Sequence, residues 1–145
     1  MPQALTRRQL TGLDDSHLVT LPGGHRLQQA AAEAFAKLQA DARRSGFELV
    51  IASSFRSFER QLLIFNQKAS GLRPVHDDVG RRVEMAELSP PEQLRAILRF
   101  SALPGTSRHH WGTDLDIYDA AAVDADYQVR LEPDGILLAA LEVVA

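Results

Sequence analysis

The sequence contains no cysteine among its 145 residues. Disulfide bonds and thiolate metal sites are therefore excluded, and any bound metal must be held by nitrogen and oxygen ligands. No apolar run approaches the ~20 residues that cross a bilayer. The formal net charge is −3 and basic blocks are missing, which gives nucleic-acid binding little electrostatic support. The length and the 45% hydrophobic content suit one globular domain.

Hydrophobic periodicity divides the first half of the chain. Residues 1–24 are expected to form an irregular lead-in, followed by one domain over residues 25–145. A helix is predicted from about Arg26 to Arg44, because apolar residues recur there at steps of three and four. These residues are Leu27, Ala31, Ala34, Phe35, Leu38 and Ala42. The run "FELVIASS" predicts a buried strand, and a second helix is predicted from Phe58 to about Ala69.

The second half begins with residues 71–88, whose polar and aperiodic sequence predicts a surface loop. A third helix follows, with Ser89 as N-cap, Pro90 as first helical residue and Glu92 as capping-box partner. The runs "DLDIYD" and "YQVRL" (127–131) predict strands. Helices followed by strands indicate an α+β domain in which helices pack on a small antiparallel sheet.

The stretch "SRHHWGTDLDIYD" (107–119) carries the strongest chemical signal. Imidazole and carboxylate are the usual nitrogen and oxygen ligands of catalytic zinc. Gly112 would let the backbone turn tightly after His109, and Asp114 and Asp116 would face the same side of a strand. A His and an Asp could then converge on one ion. The pattern alone also fits a solvated His–His pair beside an acidic strand end, with Trp111 as a packing residue.

The same stretch resembles the Ser-x-His-x-x-Gly-x-x-x-Asp signature of the M15 metallopeptidases, with M15B-like D-alanyl-D-alanine carboxypeptidases among its members. The resemblance implies that His109 and Asp116 bind Zn²⁺ and that Ser107 lies at the substrate site. Family members often have Ala where this chain has Asp114. The acid there is expected either to support the metal site or to face solvent.

A second segment, "IASSFRSFERQ" (51–61), resembles the strand-to-helix part of the same family. The resemblance implies that Arg56 stabilises negative charge on the substrate, which a guanidinium does well because it binds carboxylates and oxyanions bidentately. It also implies that Gln61 contacts the peptide. From the residues alone, the favoured interpretation is that Arg56 is a solvated turn residue or pairs with Glu59. The serines 53, 54 and 57 are candidate caps of the following helix.

A third family signature, a Glu and a His near the C-terminus, has no counterpart here. In the family its His is the third zinc ligand and its Glu is the general base, whereas the last histidine of this chain is His110. The candidates Glu132 and Glu142 lie in an apolar tail that resembles no part of the signature. The remaining histidines are considered as substitutes: His17, His25, His76 and His110. We expect none of them to take the place, His110 to be a bystander, and the domain to be C-terminally incomplete.

Over about residues 25–131, the resemblance implies a D-Ala-D-Ala carboxypeptidase or hedgehog-like fold. It also implies a zinc-dependent carboxypeptidase or dipeptidase that hydrolyses D-alanyl-terminated peptidoglycan stem peptides or a related small peptide. The alternative is an inactive or truncated module of the same fold that binds cell-wall peptide without turnover. A metal-free domain with coincidental motifs is the third possibility. No signal peptide is recognised at the N-terminus. The expected location is cytoplasmic by default, or the periplasm or cell envelope if the substrate is intact peptidoglycan.

Overall fold

The computed structural model describes residues 4–127. The helices in this range are α1 (Arg7–Leu10), α2 (Gln29–Arg44), α3 (Phe58–Ala69) and α4 (Pro90–Leu98). The strands are β1 (Val19–Thr20), β2 (Arg26–Leu27), β3 (Leu49–Ser53) and β4 (Asp116–Asp119), and short 3-10 helices cover Met85–Glu87 and Arg108–Trp111. The strands form two antiparallel pairs, β1–β2 and β3–β4. The predicted α+β class is confirmed.

Strands β3 and β4 bring distant parts of the sequence together. Leu49 pairs with Asp119 and Ile51 with Ile117, but Asp116 then pairs with Ser53, because a bulge shifts the register between Ile51 and Ser53. Bulges bend a strand and re-aim its side chains, and they are frequent beside functional sites. Here the bulge sets the start of β4 against the end of β3, where the chain turns towards α3.

The helix boundaries agree well with the cap signals. Helix α3 spans Phe58–Ala69 as predicted, and the Ser57 hydroxyl accepts a hydrogen bond from the backbone N–H of Arg60 at 3.1 Å. Helix α4 begins at Pro90 after Ser89, whose backbone N–H donates to the Glu92 carboxylate at 2.9 Å. Side chains next to these boundaries satisfy backbone groups that the helix leaves unpaired, which is why local sequence locates them.

The start of α2 and its buried face differ from the prediction. The helix begins at Gln29, because Arg26 and Leu27 pair with β1 and Gln28 is the N-cap. Ala32 and Phe35 are buried, whereas Leu38 is 48% exposed. Apolar spacing identified the helix, but the position of the neighbouring strands decided which part of its apolar stripe faces the interior.

The lead-in was expected to be irregular, but it contains α1 and β1. Helix α1 has a capping box in which the Gln9 N–H donates to the Thr6 hydroxyl at 3.3 Å and the Thr6 N–H to the Gln9 amide oxygen at 2.9 Å. The sequence "TRRQ" carries that signal, since a Thr followed three residues later by Gln is a capping-box pattern.

The stretch 71–88 is also more than the surface loop that was predicted. Val75 and Met85 from this stretch are buried against Ile97 of α4. The side chains packed around them are Phe65, Ala69, Val83, Leu88 and Ala96. Isolated apolar residues without periodicity gave no secondary-structure signal, yet they cover the faces of α3 and α4. We call Val75, Met85, Ile97 and these five neighbours the apolar cluster.

Most of the predicted strand "YQVRL" and the apolar tail with Glu132 and Glu142 lie outside the described residues. Within residues 4–127, no helix is long and apolar enough to cross a membrane.

Candidate metal centre

Two short elements place His109 beside Asp116. His109 lies in the 3-10 helix Arg108–Trp111, and Asp116 is the first residue of β4. Between them the chain reverses at Gly112. The His109 Nε2 atom lies 3.2 Å from the Asp116 Oδ2 atom, and both side chains are mostly buried. The two residues that the sequence predicted as zinc ligands therefore do meet in the fold.

The reversal at Gly112 requires glycine for two reasons. Its φ of 75° lies in the left-handed region, which side chains with a Cβ disfavour. A Cβ at this position would also lie 2.2 Å from the Leu18 Cδ2 atom and 3.3 Å from the Gln28 backbone nitrogen. The Gln28 N–H donates to the Gly112 carbonyl at 2.8 Å, which anchors the turn to the residue before α2. The expected tight turn after His109 is thus present.

The hydrogen bonding of His109 determines which ring nitrogen is available to a metal. Its Nδ1 atom lies 2.9 Å from the backbone carbonyl of Ser54. A carbonyl can only accept, so Nδ1 must carry the proton, and in the neutral ring Nε2 then carries a lone pair. This arrangement is typical of metal-binding histidines, whose second nitrogen donates to a carbonyl or carboxylate that orients the ring.

The carboxylate facing Nε2 is left unsatisfied. Asp116 Oδ2 is buried and has no hydrogen-bond partner within residues 4–127, even though it lies within ion-pair distance of His109 Nε2. With Nε2 unprotonated, two electron-pair donors face each other across this gap. Leaving a buried acceptor unpaired costs about 1–3 kcal/mol. A cation between the two atoms would remove that cost, and a nitrogen–oxygen pair fits Zn²⁺.

A third protein ligand is not present among the described residues, since no group of three His, Cys, Asp or Glu side chains in residues 4–127 could hold a metal ion. His17 lies with Nε2 3.1 Å from the Trp111 carbonyl, and His25 with Nδ1 3.1 Å from the Ser54 hydroxyl. His76 lies in the stretch 71–88, where its backbone forms a bridge with Arg82. Within residues 4–127, none of these three histidines forms a group of three potential ligands with His109 and Asp116.

Arg56 lies on the turn between β3 and α3, with its backbone bound to the metal-ligand segment. Its N–H donates to the His109 carbonyl at 3.1 Å. Its guanidinium donates to the Gln61 amide oxygen at 2.9 Å and to the Ser53 hydroxyl at 3.1 Å. Burial lowers the pKa of Arg56, and the negative charge of Asp116 opposes that shift. The group stays protonated, so a partly desolvated positive charge is held in place near Asp116.

The Arg56 guanidinium does not pair with Glu59, the alternative partner considered from the sequence. The guanidinium bonds to Gln61 and Ser53 instead. Gln61 itself is 0% exposed, and its amide nitrogen donates to the Ala102 carbonyl at 2.7 Å. A side chain with no exposed surface orients Arg56 rather than reaching a peptide. The direct substrate contact expected of Gln61 is thus not what its position offers.

Ser107 is also buried, at 4% exposure. It is the N-cap of the 3-10 helix that carries His109, and its hydroxyl accepts a hydrogen bond from the His109 N–H at 3.3 Å. The bond holds the start of the ligand-bearing turn. Its predicted contact with substrate stays a prediction.

Asp114 lies before β4, which begins only at Asp116, so the two acids do not share a strand as predicted. The Asp114 carboxylate forms an ion pair with Arg108 at 3.0 Å. Of the two expectations for this acid, direct support of the metal is not what the structure shows.

His110 was expected to be a bystander to the metal site, and this stays a prediction, but its ring is held by two backbone groups. Its ring is 0% exposed, with Nδ1 2.6 Å from the Arg56 carbonyl and Nε2 accepting the Gly105 N–H at 3.0 Å. Burial lowers the pKa of His110. The family signature places its histidine at His109, so the sequence predicted no role for His110. The Ser54 carbonyl was missed for another reason, since a backbone group leaves no residue-type signal.

A histidine and an aspartate thus converge near an arginine, at the edge of the β3–β4 pair. A sequence model described as VanY, D-alanyl-D-alanine carboxypeptidase, matches residues 24–135. The chain belongs to this family, which confirms the M15 resemblance. A relative from Haemophilus influenzae, itself uncharacterized, is 48% identical over 103 residues, which cover 68% of this chain and 70% of the relative. The match removes the possibility that both motifs are coincidental.

Solved structures share the fold. A mutant of the vancomycin-resistance D,D-pentapeptidase VanY in complex with Zn(II) is 24% identical, with a TM-score of 0.57 over 71% of this chain. VanYB in complex with D-alanine-D-alanine is 24% identical, with a TM-score of 0.58 over 74% of it. The LdcB LD-carboxypeptidase is 21% identical, with a TM-score of 0.56 over 83%. The alignments cover 52%, 53% and 50% of those chains, so this chain spans about half their length.

Proposed function

We propose that this chain contributes to a zinc-dependent carboxypeptidase or dipeptidase that acts on D-alanyl-terminated peptidoglycan stem peptides. The observation that carries the proposal is the convergence of His109 Nε2 and Asp116 Oδ2, which lie 3.2 Å apart while Oδ2 is buried without a hydrogen-bond partner in residues 4–127. Family membership supports the reaction class. The zinc and the D-alanine-D-alanine bound in two solved relatives support the cofactor and the substrate class.

Each residue near the gap has a defined task in this proposal. His109 and Asp116 would hold the zinc, with the Ser54 carbonyl fixing the ring that presents Nε2. Zinc in such a site polarises a carbonyl and lowers the pKa of water. Arg56 would bind the negative charge of the substrate, either its terminal carboxylate or the oxyanion that develops during hydrolysis. Gln61 and Ser53 hold the guanidinium in place before substrate arrives.

Two further groups are needed for turnover. Zinc hydrolases use three protein ligands and keep a fourth position for water. A general base contributes roughly 10²–10⁴-fold to such reactions. Neither a third ligand nor a base is offered by residues 4–127. In this proposal both come from outside the described part of the chain.

The decisive experiment measures zinc and turnover together. Zinc content is determined for the protein and for a His109→Ala variant, and D-alanine release from a pentapeptide ending in D-alanyl-D-alanine is followed. We expect zinc to be retained by the protein and lost in the variant. An Asp114→Asn variant serves as control, because that carboxylate pairs with Arg108 rather than facing His109. Loss of zinc in the control but not in His109→Ala would refute the assignment.

The second candidate is a module of the same fold that binds cell-wall peptide without cleaving it. The observation that favours it is the lack of a third ligand among the described residues. Calorimetry with the same pentapeptide, with and without a chelator, separates the two. Binding that the chelator leaves unchanged, with no D-alanine released, identifies the binding module. Turnover that the chelator abolishes identifies the peptidase.

A further inference from the structure

The His110 ring is held on both sides by the protein backbone. It is fully buried, although it follows directly after the proposed ligand His109. The Gly105 N–H donates to its Nε2 atom at 3.0 Å, so Nε2 must carry a lone pair. Nδ1 then carries the proton and donates to the Arg56 carbonyl at 2.6 Å. Only one tautomer of the neutral ring satisfies both bonds.

The bond from His110 is one of two that hold the backbone of Arg56. The Arg56 N–H donates to the His109 carbonyl at 3.1 Å. The Arg56 carbonyl accepts from the His110 ring. Consecutive residues of the ligand-bearing turn therefore bind both polar backbone groups of residue 56. Since the guanidinium is carried by that backbone, the two bonds set its position relative to His109 and Asp116.

Close packing keeps the ring from shifting. A Cβ on Gly12 would lie 2.5 Å from His110 Nδ1 and 2.8 Å from the Phe58 backbone nitrogen. The Gly12 carbonyl also accepts a hydrogen bond from the Phe58 N–H at 2.9 Å. Gly12 precedes the family match over residues 24–135. The lead-in thus closes one side of the space that His110 occupies.

We propose that His110 is a positioning residue, which fixes the distance between the charge-binding arginine and the metal-binding pair. The proposal rests on the proposed function, because the placement of Arg56 matters for catalysis only if Arg56 binds the substrate's negative charge. Displacing a catalytic group by about 1 Å costs on the order of 10²-fold in rate. A bond that holds the Arg56 carbonyl is therefore expected to affect turnover more than one that holds only the loop at Gly105.

Two near-isosteric substitutions separate the bonds of the ring. In His110→Asn, the amide nitrogen takes the place of Nδ1 and keeps the bond to the Arg56 carbonyl, while the bond from Gly105 is lost. In His110→Gln, the amide oxygen takes the place of Nε2 and keeps the bond from Gly105, while the bond to Arg56 is lost. Both variants bury one polar group without a partner, so both are expected to lose similar thermal stability.

The measurements are kcat and KM for the pentapeptide, zinc content, the thermal midpoint, and hydrogen exchange at the backbone amides of Arg56 and Gly105. We expect kcat of His110→Gln to fall on the order of 10²-fold with zinc retained. The loss in His110→Asn should be at least tenfold smaller. Exchange should rise at Gly105 in the Asn variant, because that amide loses its acceptor. In the Gln variant the Arg56 N–H keeps its bond to the His109 carbonyl, so exchange at Arg56 should rise only if loss of the bond to the Arg56 carbonyl loosens the backbone there.

The exchange data decide the question independently of turnover. If the protein releases no D-alanine, the proposed function fails. The positioning role still stands if the reciprocal exchange pattern is seen, and falls if it is not. If turnover occurs but both variants lose equal activity in proportion to their stability, His110 is only a structural residue and the positioning role is overturned.

Discussion

The two ends of helix α3 pack against different kinds of interior. Towards its C-terminus, Phe65 and Ala69 belong to the apolar cluster around Ile97. Near its N-terminus, Gln61 is buried among polar groups and bonds to Arg56 and to Ala102. The residues in the described range that are both buried and polar are Ser54, Gln61, Ser107 and His110. All four lie around the candidate metal centre, where each makes hydrogen bonds with neighbouring residues.

The difference separates what stabilises the molecule from what gives it a defined site. Burial of apolar surface is favourable and non-directional, so the apolar cluster contributes mainly free energy of folding. Hydrogen bonds contribute less net free energy but demand specific distances and angles. The polar end of α3 is therefore suited to hold His109, Asp116 and Arg56 in one arrangement, at little gain in stability.

The largest effect is expected from Asp116→Asn, which tests the polar end alone. The amide nitrogen can donate to His109 Nε2, so the metal-free protein should gain about 1 kcal/mol of stability. Zinc binding should be lost. The rate of D-alanine release should fall on the order of 10³-fold, because several kcal/mol of transition-state stabilisation by the metal are lost. Zinc titration, thermal unfolding with a chelator and the release assay measure the three effects. If the metal-free variant is clearly less stable than the metal-free unmodified protein, His109 Nε2 and Asp116 Oδ2 are not two unpaired acceptors.

The opposite result is expected from Ile97→Ala in the apolar cluster. Ile97 is 1% exposed, and truncation of a buried Ile to Ala costs about 2–5 kcal/mol. Chemical denaturation measures the loss. Well below the unfolding midpoint, zinc stoichiometry should equal that of the unmodified protein. A change in zinc content in the folded variant would show that the two ends of α3 are coupled.

A smaller effect, confined to catalysis, is expected from Arg56→Lys. Lysine keeps the charge but cannot bond to both Gln61 and Ser53, so kcat should fall about 10²-fold, as when an oxyanion donor is removed. Zinc content should not change. Arg60→Lys, at an exposed position on α3, is the control and should retain full activity. If kcat falls equally in the two variants, Arg56 does not have the predicted role in catalysis.

The smallest difference is expected between two glycines with positive φ. Gly112→Ala and Gly46→Ala both place a Cβ in the left-handed region, with φ of 75° and 88°. Each should lose about 1 kcal/mol from backbone conformation alone. Only Gly112 meets further atoms, since nothing lies within 4 Å of a Cβ at Gly46. Overpacking adds about 1–3 kcal/mol at Gly112. Denaturation measures both losses of stability. If the two variants lose the same stability, Leu18 and Gln28 can move to accommodate the Cβ at residue 112.

Much of the secondary structure was predictable because its signals are local. The caps of α3 and α4 lie within four residues of the groups they satisfy, and the strand and helix periodicities are read over short windows. The partners of β1 and the buried residues of 71–88 were not predictable in this way. Val75 and Met85 are isolated apolar residues in sequence, and only contact with α4 makes them part of an interior.

By itself, the sequence determined which chemistry the site offers. It predicted His109 and Asp116 as a nitrogen and an oxygen ligand, Arg56 as the positive charge, and Gly112 as the turn. Tertiary structure alone decided the atoms and the supports. It set the Ser54 carbonyl against His109 Nδ1, turned Asp114 towards Arg108, and gave His110 the Arg56 carbonyl. Residue types specify which groups can react or bind, but backbone partners depend on the pairing of distant segments such as β3 and β4.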